Sequence, residues 1–167
     1  SFSRGIPLIG INHIEGHIFA NFLEHPDISP PFVCLVISGG HSNLIFVAGP
    51  GKYELLGQTR DDAAGEAFDK VAKILNLGYP GGPVIDQISI GADPNYFKFP
   101  RARLEEESLD FSFSGLKTAV ALFVSRLPDE ELKRHRIDIA ASFQEAVVDV
   151  LVEKGIRACG RMNTDKI

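Results

Sequence analysis

The sequence predicts an α/β protein, and three patterns support this prediction. The continuous apolar run Phe32–Ile37 is typical of a strand buried on both faces. Two further strand-like segments, Asn43–Ala48 and Tyr53–Gln58, each follow a glycine-containing turn, which is the pattern of a β-meander. Apolar residues then recur at helical spacing over Ala64–Leu75 and over Ile139–Arg161. We therefore expect a three-stranded meander followed by helices.

A first helix is predicted ahead of the meander. Asn12 is a suitable N-cap residue, and Glu15 completes a sequence resembling a capping box. The apolar stripe that follows ends near Glu24 and consists of Ile14, Ile18, Phe22 and Leu23. A proline-rich connection, Asp27–Pro31, leads from this helix to the first strand.

Capping and stop signals define the next two helices. Asp61–Asp62 is predicted to cap the helix over Ala64–Leu75, and Gly78 followed by Pro80 is a typical stop sequence. Pro83 can begin a short helix that carries Asp86.

The remaining segments alternate between loop and helix. Asp93–Glu107 is predicted to be a loop, and it holds Arg101 and Arg103. Leu116–Arg126 is predicted to be helical, and Asp129–Arg136 is interpreted as a charged connection before the long amphipathic helix.

Composition limits the classes of function. The 167 residues include 44% apolar and 23% charged residues, as in an ordinary soluble globular protein. The net charge of -5 argues against general coating of nucleic acid but permits a local basic patch. Cys34 and Cys159 form no CxxC pair, which favours a reducing, cytosolic setting. No apolar run is long enough to cross a bilayer, and no signal peptide is recognisable.

The two ends indicate a fragment of a longer protein. The sequence begins with Ser1 and has no initiator Met, and the strand-like segment Pro7–Ile11 follows almost at once. At the other end, Lys166–Ile167 resembles the first step of another strand. We expect the chain to be a central piece, although an engineered start would also remove the Met.

His13 and His17 form an i, i+4 pair. Residues four apart lie on one face of a helix, so both imidazoles can reach one ion such as zinc or ferrous iron. Two surface or capping histidines are an equally simple interpretation. Glu15 does not occupy the general-base position of the zincin motif, which weakens a protease interpretation.

The loop Ser38–Ser42 follows a strand and contains Gly39 and Gly40. Glycines without Cβ atoms let backbone N–H groups approach an anion, and we expect backbone angles that suit glycine there. A plain β-turn is the alternative. The segment lacks the lysine of a Walker loop and the spacing of a dinucleotide fingerprint. Asp69, on a helix with two lysines, is most simply part of a solvated face.

Five motifs taken in order are more specific than any one of them. They are His13–His17, Val36–Ser42, Asp61–Lys70, Tyr79–Pro83 and Asp110–Thr118. In order and spacing they resemble the bacterial TsaD group, also called YgjD or Gcp, along nearly the whole chain. This resemblance implies an actin-like, sugar-kinase-like and heat-shock-ATPase-like α/β fold built from ribonuclease-H-like halves. Residues 1–31 would then end the N-terminal half, and residues 32–167 would form an incomplete second half with a helical insertion.

The resemblance also implies a reaction and its participants. Members of the group transfer a threonylcarbamoyl group from threonylcarbamoyl-adenylate to N6 of the tRNA adenosine next to the anticodon, with TsaB-like and TsaE-like protein subunits in the cytoplasm. His13 and His17 match the family histidines that bind one iron or zinc ion. The residues matching the substrate-binding positions are Val36, Ile37, Ser38, Gly39, Gly40, Asp69, Gly82 and Asp86. No catalytic residue is assigned.

One departure and three alternatives remain. The family completes its metal site with an Asp and its nucleotide site with an Asn, both beyond Ile167, so this chain alone is expected to be inactive. A metalloprotease built on the histidine pair is one alternative. An ATPase or sugar-kinase relative and an ATPase-fold scaffold that docks partner subunits are the others.

Overall fold

The computed structural model describes residues 2–102, 104–105 and 107–167, so the predicted loop residue Arg103 lies outside the described residues. It contains two compact units, Ser1–Pro30 and Pro31–Ile167. A short 3-10 turn, Phe2–Arg4, precedes the main elements. These are α1 (His13–Glu24), β1 (Phe32–Ile37), β2 (Ser42–Gly49), β3 (Lys52–Gln58), α2 (Ala64–Ile74), α3 (Gly81–Ser89), α4 (Ser114–Val124) and α5 (Asp129–Met162). Within the described ranges, no helix is both long and apolar enough to traverse a lipid bilayer.

Helix α1 begins as predicted. The Asn12 side-chain oxygen accepts hydrogen bonds from the Ile14 N–H at 2.9 Å and the Glu15 N–H at 3.2 Å. These donors have no partner within a helix, so the cap satisfies them. The expected N-cap and the expected end at Glu24 are both confirmed.

The predicted meander is confirmed. Strands β1, β2 and β3 pair antiparallel in sequence order, and Ile37 lies opposite Ser42 at the first hairpin. Within β1, the Val33 N–H donates a hydrogen bond to the Lys166 carbonyl near the end of the chain, at 2.9 Å. Lys166 thus makes one sheet-like hydrogen bond, although no strand forms there.

The core lies between the sheet and helices α2, α4 and α5. Alternating residues of β1 and β2 and the apolar stripes of the helices are withdrawn from water. Phe143 of α5 packs edge-on against Phe68 of α2, with ring centroids 5.0 Å apart. Among the largest fully buried side chains are Phe99, Phe111, Phe113, Phe143, Leu44 and Ile139. This packing fixes the start of α2, which carries the candidate site.

The interpretation of Asp129–Arg136 as a connection is wrong, because α5 already begins at Asp129. Pro128 occupies the N-cap position, and the three acidic residues of the first turn suit the positive end of a helix dipole. The Lys133 ammonium also contacts the Glu130 carboxylate at 2.8 Å, an i, i+3 pair. This first part of the helix is exposed to solvent and lacks apolar residues at the spacing of a buried face, so its sequence did not indicate a helix.

Asp61 caps α4 rather than α2, which corrects the predicted role of Asp61. Its carboxylate accepts the Phe113 N–H at 2.9 Å and the Ser114 N–H at 3.2 Å. The hydroxyls of Ser112 and Ser114 each donate to its second oxygen at 2.6 Å. Burial raises the pKa of Asp61, but these hydrogen bonds outweigh burial and lower the pKa to about 2.

Asp61→Asn is expected to lower the free energy of unfolding by about 1 kcal/mol at neutral pH, since it weakens a cap at a solvent-accessible position. The folded-state pKa lies below the ordinary value of 3.8, so the carboxylate stabilises the fold above about pH 4. That contribution should disappear as the pH falls from about 4 to 2. Urea unfolding of parent and variant between pH 7 and pH 2 measures it. The exposed Glu54→Gln is the control, and a parent-to-variant difference independent of pH would contradict the capping role.

Candidate functional site

The loop between β1 and β2 folds around the Ser38 hydroxyl. The Ser38 N–H donates to the His41 carbonyl at 2.9 Å. The Ser38 Oγ accepts the N–H groups of Gly40 at 3.3 Å and His41 at 3.1 Å, and it lies 3.3 Å from His41 Nδ1. The serine therefore fixes the shape of the loop and engages two backbone donors that the sequence suggested for an anion.

The backbone conformation at Gly39 and Gly40 does not require glycine. Neither has a positive φ, so the expectation of backbone angles that favour glycine is wrong. A Cβ added at either residue would meet nothing within 4 Å. The glycines instead leave open space against the backbone, which a bound group can occupy and a side chain would fill.

The start of α2 packs directly against this loop. The Gly65 N–H donates to the Ser38 carbonyl at 3.3 Å, and the Ala64 N–H donates to the buried Ser42 Oγ at 2.8 Å. A Cβ on Gly65 would lie 2.6 Å from the Ser38 oxygen and 2.9 Å from the Gly39 Cα. Sequence reasoning missed Gly65, although a glycine inside a predicted helix signals a packing reason.

Asp62 joins α2 to α4 instead of capping α2. Its two oxygens contact the ammonium groups of Lys70 at 2.6 Å and Lys117 at 2.9 Å. Burial raises the pKa of Asp62, but the hydrogen bonds from the two lysines outweigh burial and lower it. The predicted Asp61–Asp62 cap of α2 is therefore wrong for both residues. The N-cap residue of α2 is Ala63, which offers no side-chain hydrogen bond.

Asp69 positions the next helix. Its Oδ1 accepts the Gly81 N–H at 2.7 Å, at the first residue of α3. Gly81 is required by packing, because a Cβ there would lie 2.6 Å from the Asp69 Cα. Gly65 and Asp69 are four residues apart and share one face of α2. The glycine loop, Asp69 and the start of α3 therefore follow one side of the same helix.

Gly82 and Asp86 lie on α3, one turn apart. A Cβ on Gly82 would meet nothing within 4 Å, so its surface is open. Asp86 is exposed, and its Oδ1 accepts a hydrogen bond from Gln144 Nε2 at 3.2 Å. Because residues four apart share a helix face, Gly82 and Asp86 face the same side of α3. Asp69 thus contacts the first residue of α3, the helix that carries Gly82 and Asp86.

The histidine pair lies in the first unit, at the start of α1. The Nε2 atoms of His13 and His17 are 3.2 Å apart, and their ring centroids are 4.5 Å apart. Two nitrogens bound to one tetrahedral metal at about 2.0–2.1 Å would lie roughly 3.3 Å from each other. The pair therefore fits two positions of a metal site, and its role as a ligand pair stays a prediction. Within the described residues, no group of three or more His, Cys, Asp and Glu side chains can hold a metal ion.

Comparisons with known proteins identify the family. The family model described as TsaD, tRNA N6-adenosine threonylcarbamoyltransferase, matches residues 1–167. The chain belongs to the TsaD family. Curated relatives of that name include proteins of Clostridium botulinum strain 657, 54% identical, and Clostridium perfringens strain SM101, 51% identical. Each identity covers 167 residues, which is 100% of this chain and 49% of the relative.

This TsaD chain therefore spans about half the length of the curated relatives that it matches. Membership confirms the fold class, because the family has an actin-like α/β fold and the chain forms a three-stranded sheet with helices. The roles of the eight predicted substrate-binding residues and of the two histidines remain predictions.

Proposed function

We propose that the full-length protein containing this chain transfers a threonylcarbamoyl group from threonylcarbamoyl-adenylate to N6 of the tRNA adenosine next to the anticodon. The observation that carries this proposal is the TsaD match over residues 1–167, together with relatives of the same name that are 54% identical. Residues 1–31 would close the first ribonuclease-H-like half, and residues 32–167 would form part of the second.

The adenylate would bind along one side of α2. The open surface over Gly39 and Gly40 would receive it, within the substrate loop Val36–Gly40. The carboxylates of Asp69 and Asp86 can accept hydrogen bonds from ribose hydroxyls, and Gly82 leaves room for a close approach. The attacking adenosine amine is a weak nucleophile, so holding both reactants in place should contribute strongly to the rate.

His13 and His17 would hold one iron or zinc ion, with the remaining ligands supplied from outside these 167 residues. Imidazole nitrogens suit both metals, and the 3.2 Å separation of the Nε2 atoms supports a shared ion. When bound, such an ion polarises a carbonyl group as a Lewis acid. The histidines themselves orient it, since α1 fixes both rings on one face.

Family membership supports extending the proposal to partners and location. The proposal includes TsaB-like and TsaE-like subunits, tRNA as the acceptor and a cytoplasmic setting. These 167 residues carry a net charge of -5, so tRNA contact within them would need a local basic region.

Mass spectrometry of nucleosides from reacted tRNA tests the proposed function. The full-length protein, with partner subunits, ATP, threonine and bicarbonate, should form threonylcarbamoyladenosine. The 167-residue chain should leave tRNA unmodified under the same conditions, because it matches only half of its relatives. Absence of the modified nucleoside from the complete reaction would reject the transferase. Metal-dependent peptide cleavage by the same preparation, abolished by His13→Ala, would replace it with the protease.

A further inference from the structure

A separate cavity of about 380 Å³ lies between α5 and the loop that follows Phe99. It falls within the range of about 300–1,000 Å³ that small-molecule sites occupy. Its described lining includes three basic residues, Arg101, Lys154 and Arg157. None of these belongs to the proposed adenylate site or to the histidine pair.

The basic residues that line this cavity are more buried than the acidic ones. Lys154 is only 5% exposed, and the Arg101 side chain is 28% exposed. The three acidic residues of the lining, Glu105, Glu107 and Glu153, are all exposed. Water screens charges at the surface far more than charges below it, so among the described lining residues the basic groups are the less screened ones.

Lys154 forms no ion pair within the described part of the chain, and the carboxylates that act on its charge, Glu153 and Asp110, do so from a distance. Its ammonium donates to the Ser108 carbonyl at 2.8 Å, and no described carboxylate lies within ion-pair distance. Lysine is almost never buried unless it is paired, because an isolated buried charge is costly. Burial, followed by the charge of Arg157, lowers the pKa of Lys154 and outweighs the opposing effect of Glu153 and Asp110. An anion in the cavity would offset both effects.

Arg101 can contribute further donors. Its Nε and Nη2 donate to Asp149 Oδ2 at 2.9 Å and 2.6 Å, and its Nη1 donates to the Phe99 carbonyl at 2.8 Å. A guanidinium group has five N–H donors, so these three bonds hold the group in place and leave two N–H groups. A fixed guanidinium beside a buried ammonium is an arrangement that suits phosphate oxygens.

We propose that the cavity lined by Arg101, Lys154 and Arg157 binds a phosphate group. Lys154 supplies the buried positive charge, Arg101 supplies donors nearer to solvent, and Arg157 adds positive charge beside them. The phosphate can belong to a small molecule or to the backbone of tRNA. This site is independent of the transfer chemistry, so its binding test does not depend on activity.

Isothermal titration of the full-length protein with inorganic phosphate tests the proposal. Lys154→Met keeps the length of the side chain and removes the charge, so phosphate affinity should fall at least tenfold. Lys133→Met, on the exposed part of the same helix, is the matched control and should bind like the parent. If Lys154→Met fails to fold by circular dichroism, Arg157→Gln provides the same comparison. No binding by the parent in the millimolar range, or equal affinity in parent and folded variant, would overturn the proposal.

Competition identifies the source of the phosphate. If tRNA displaces inorganic phosphate from the parent protein, the site holds a phosphate of the RNA backbone. If phosphate binds and tRNA does not displace it, the site serves a free phosphate or a small phosphate ester. Both outcomes require the loss of phosphate affinity on Lys154→Met.

Discussion

In the full-length protein, His13→Ala and His17→Ala are each expected to reduce threonylcarbamoyladenosine formation by roughly a hundredfold or more. Changing residues that only support metal ligands already costs about 10–100-fold in metal affinity or activity. Each substitution here would remove one of two imidazoles whose nitrogens lie 3.2 Å apart. Single-turnover assays with the metal-loaded protein, together with metal analysis of each variant, measure the loss.

His25→Ala is the control for the histidine pair, because His25 is an exposed histidine at the other end of α1. It should retain full metal content and activity. The 167-residue chain should take up zinc only weakly in calorimetry, since two imidazoles make an incomplete site. Equal zinc uptake by the parent chain, His13→Ala and His17→Ala would show that the histidine pair is not a metal site.

Gly65→Ala and Gly39→Val should separate folding from binding. At Gly65 the added Cβ would lie 2.6 Å from the Ser38 carbonyl oxygen, so the backbone must shift. Overpacking of this kind costs about 1–3 kcal/mol, and it would exceed the gain of about 1 kcal/mol that alanine brings to a helix. At Gly39 an added Cβ meets nothing within 4 Å, so the fold should be nearly unaffected.

Gly39→Val should instead be distinguished by its effect on AMP binding. Gly39→Val should weaken AMP binding to the full-length protein strongly, because its side chain would fill the space left for the adenylate. Thermal unfolding and calorimetric titration of both variants give the two readouts. If Gly39→Val is folded and binds AMP like the parent, the loop is only a turn between strands.

The main elements of the fold could be predicted from sequence because periodicity reports burial. The run Phe32–Ile37 gave the bounds of β1, and Asn12 gave the start of α1. The charged start of α5 was missed because Asp129–Arg136 lies largely in solvent and carries no apolar stripe. Helical structure there depends on the first-turn acids and on continuity with the buried part of the helix.

The candidate site was less accessible to prediction, because its contacts join residues distant in sequence. The pattern Asp61–Asp62 before a helix favours a local cap, and nothing local indicates that Asp61 binds Ser114 or that Asp62 binds Lys117. Residue types also do not reveal which of two adjacent glycines is tightly packed. Gly81 contacts α2 closely, whereas Gly82 is open.

The Asp61 cap has a consequence for the order in which the chain folds. Helix α4 has no side-chain cap of its own at Phe113, so its first amides depend on a carboxylate 52 residues earlier. Closing that long loop costs entropy before the hydrogen bonds form. The first turn of α4 should therefore become ordered only after β3 and the start of α2 have come together. In the native state, its amide hydrogens should exchange with solvent in the same cooperative opening as that region, even though the cap lies near the surface.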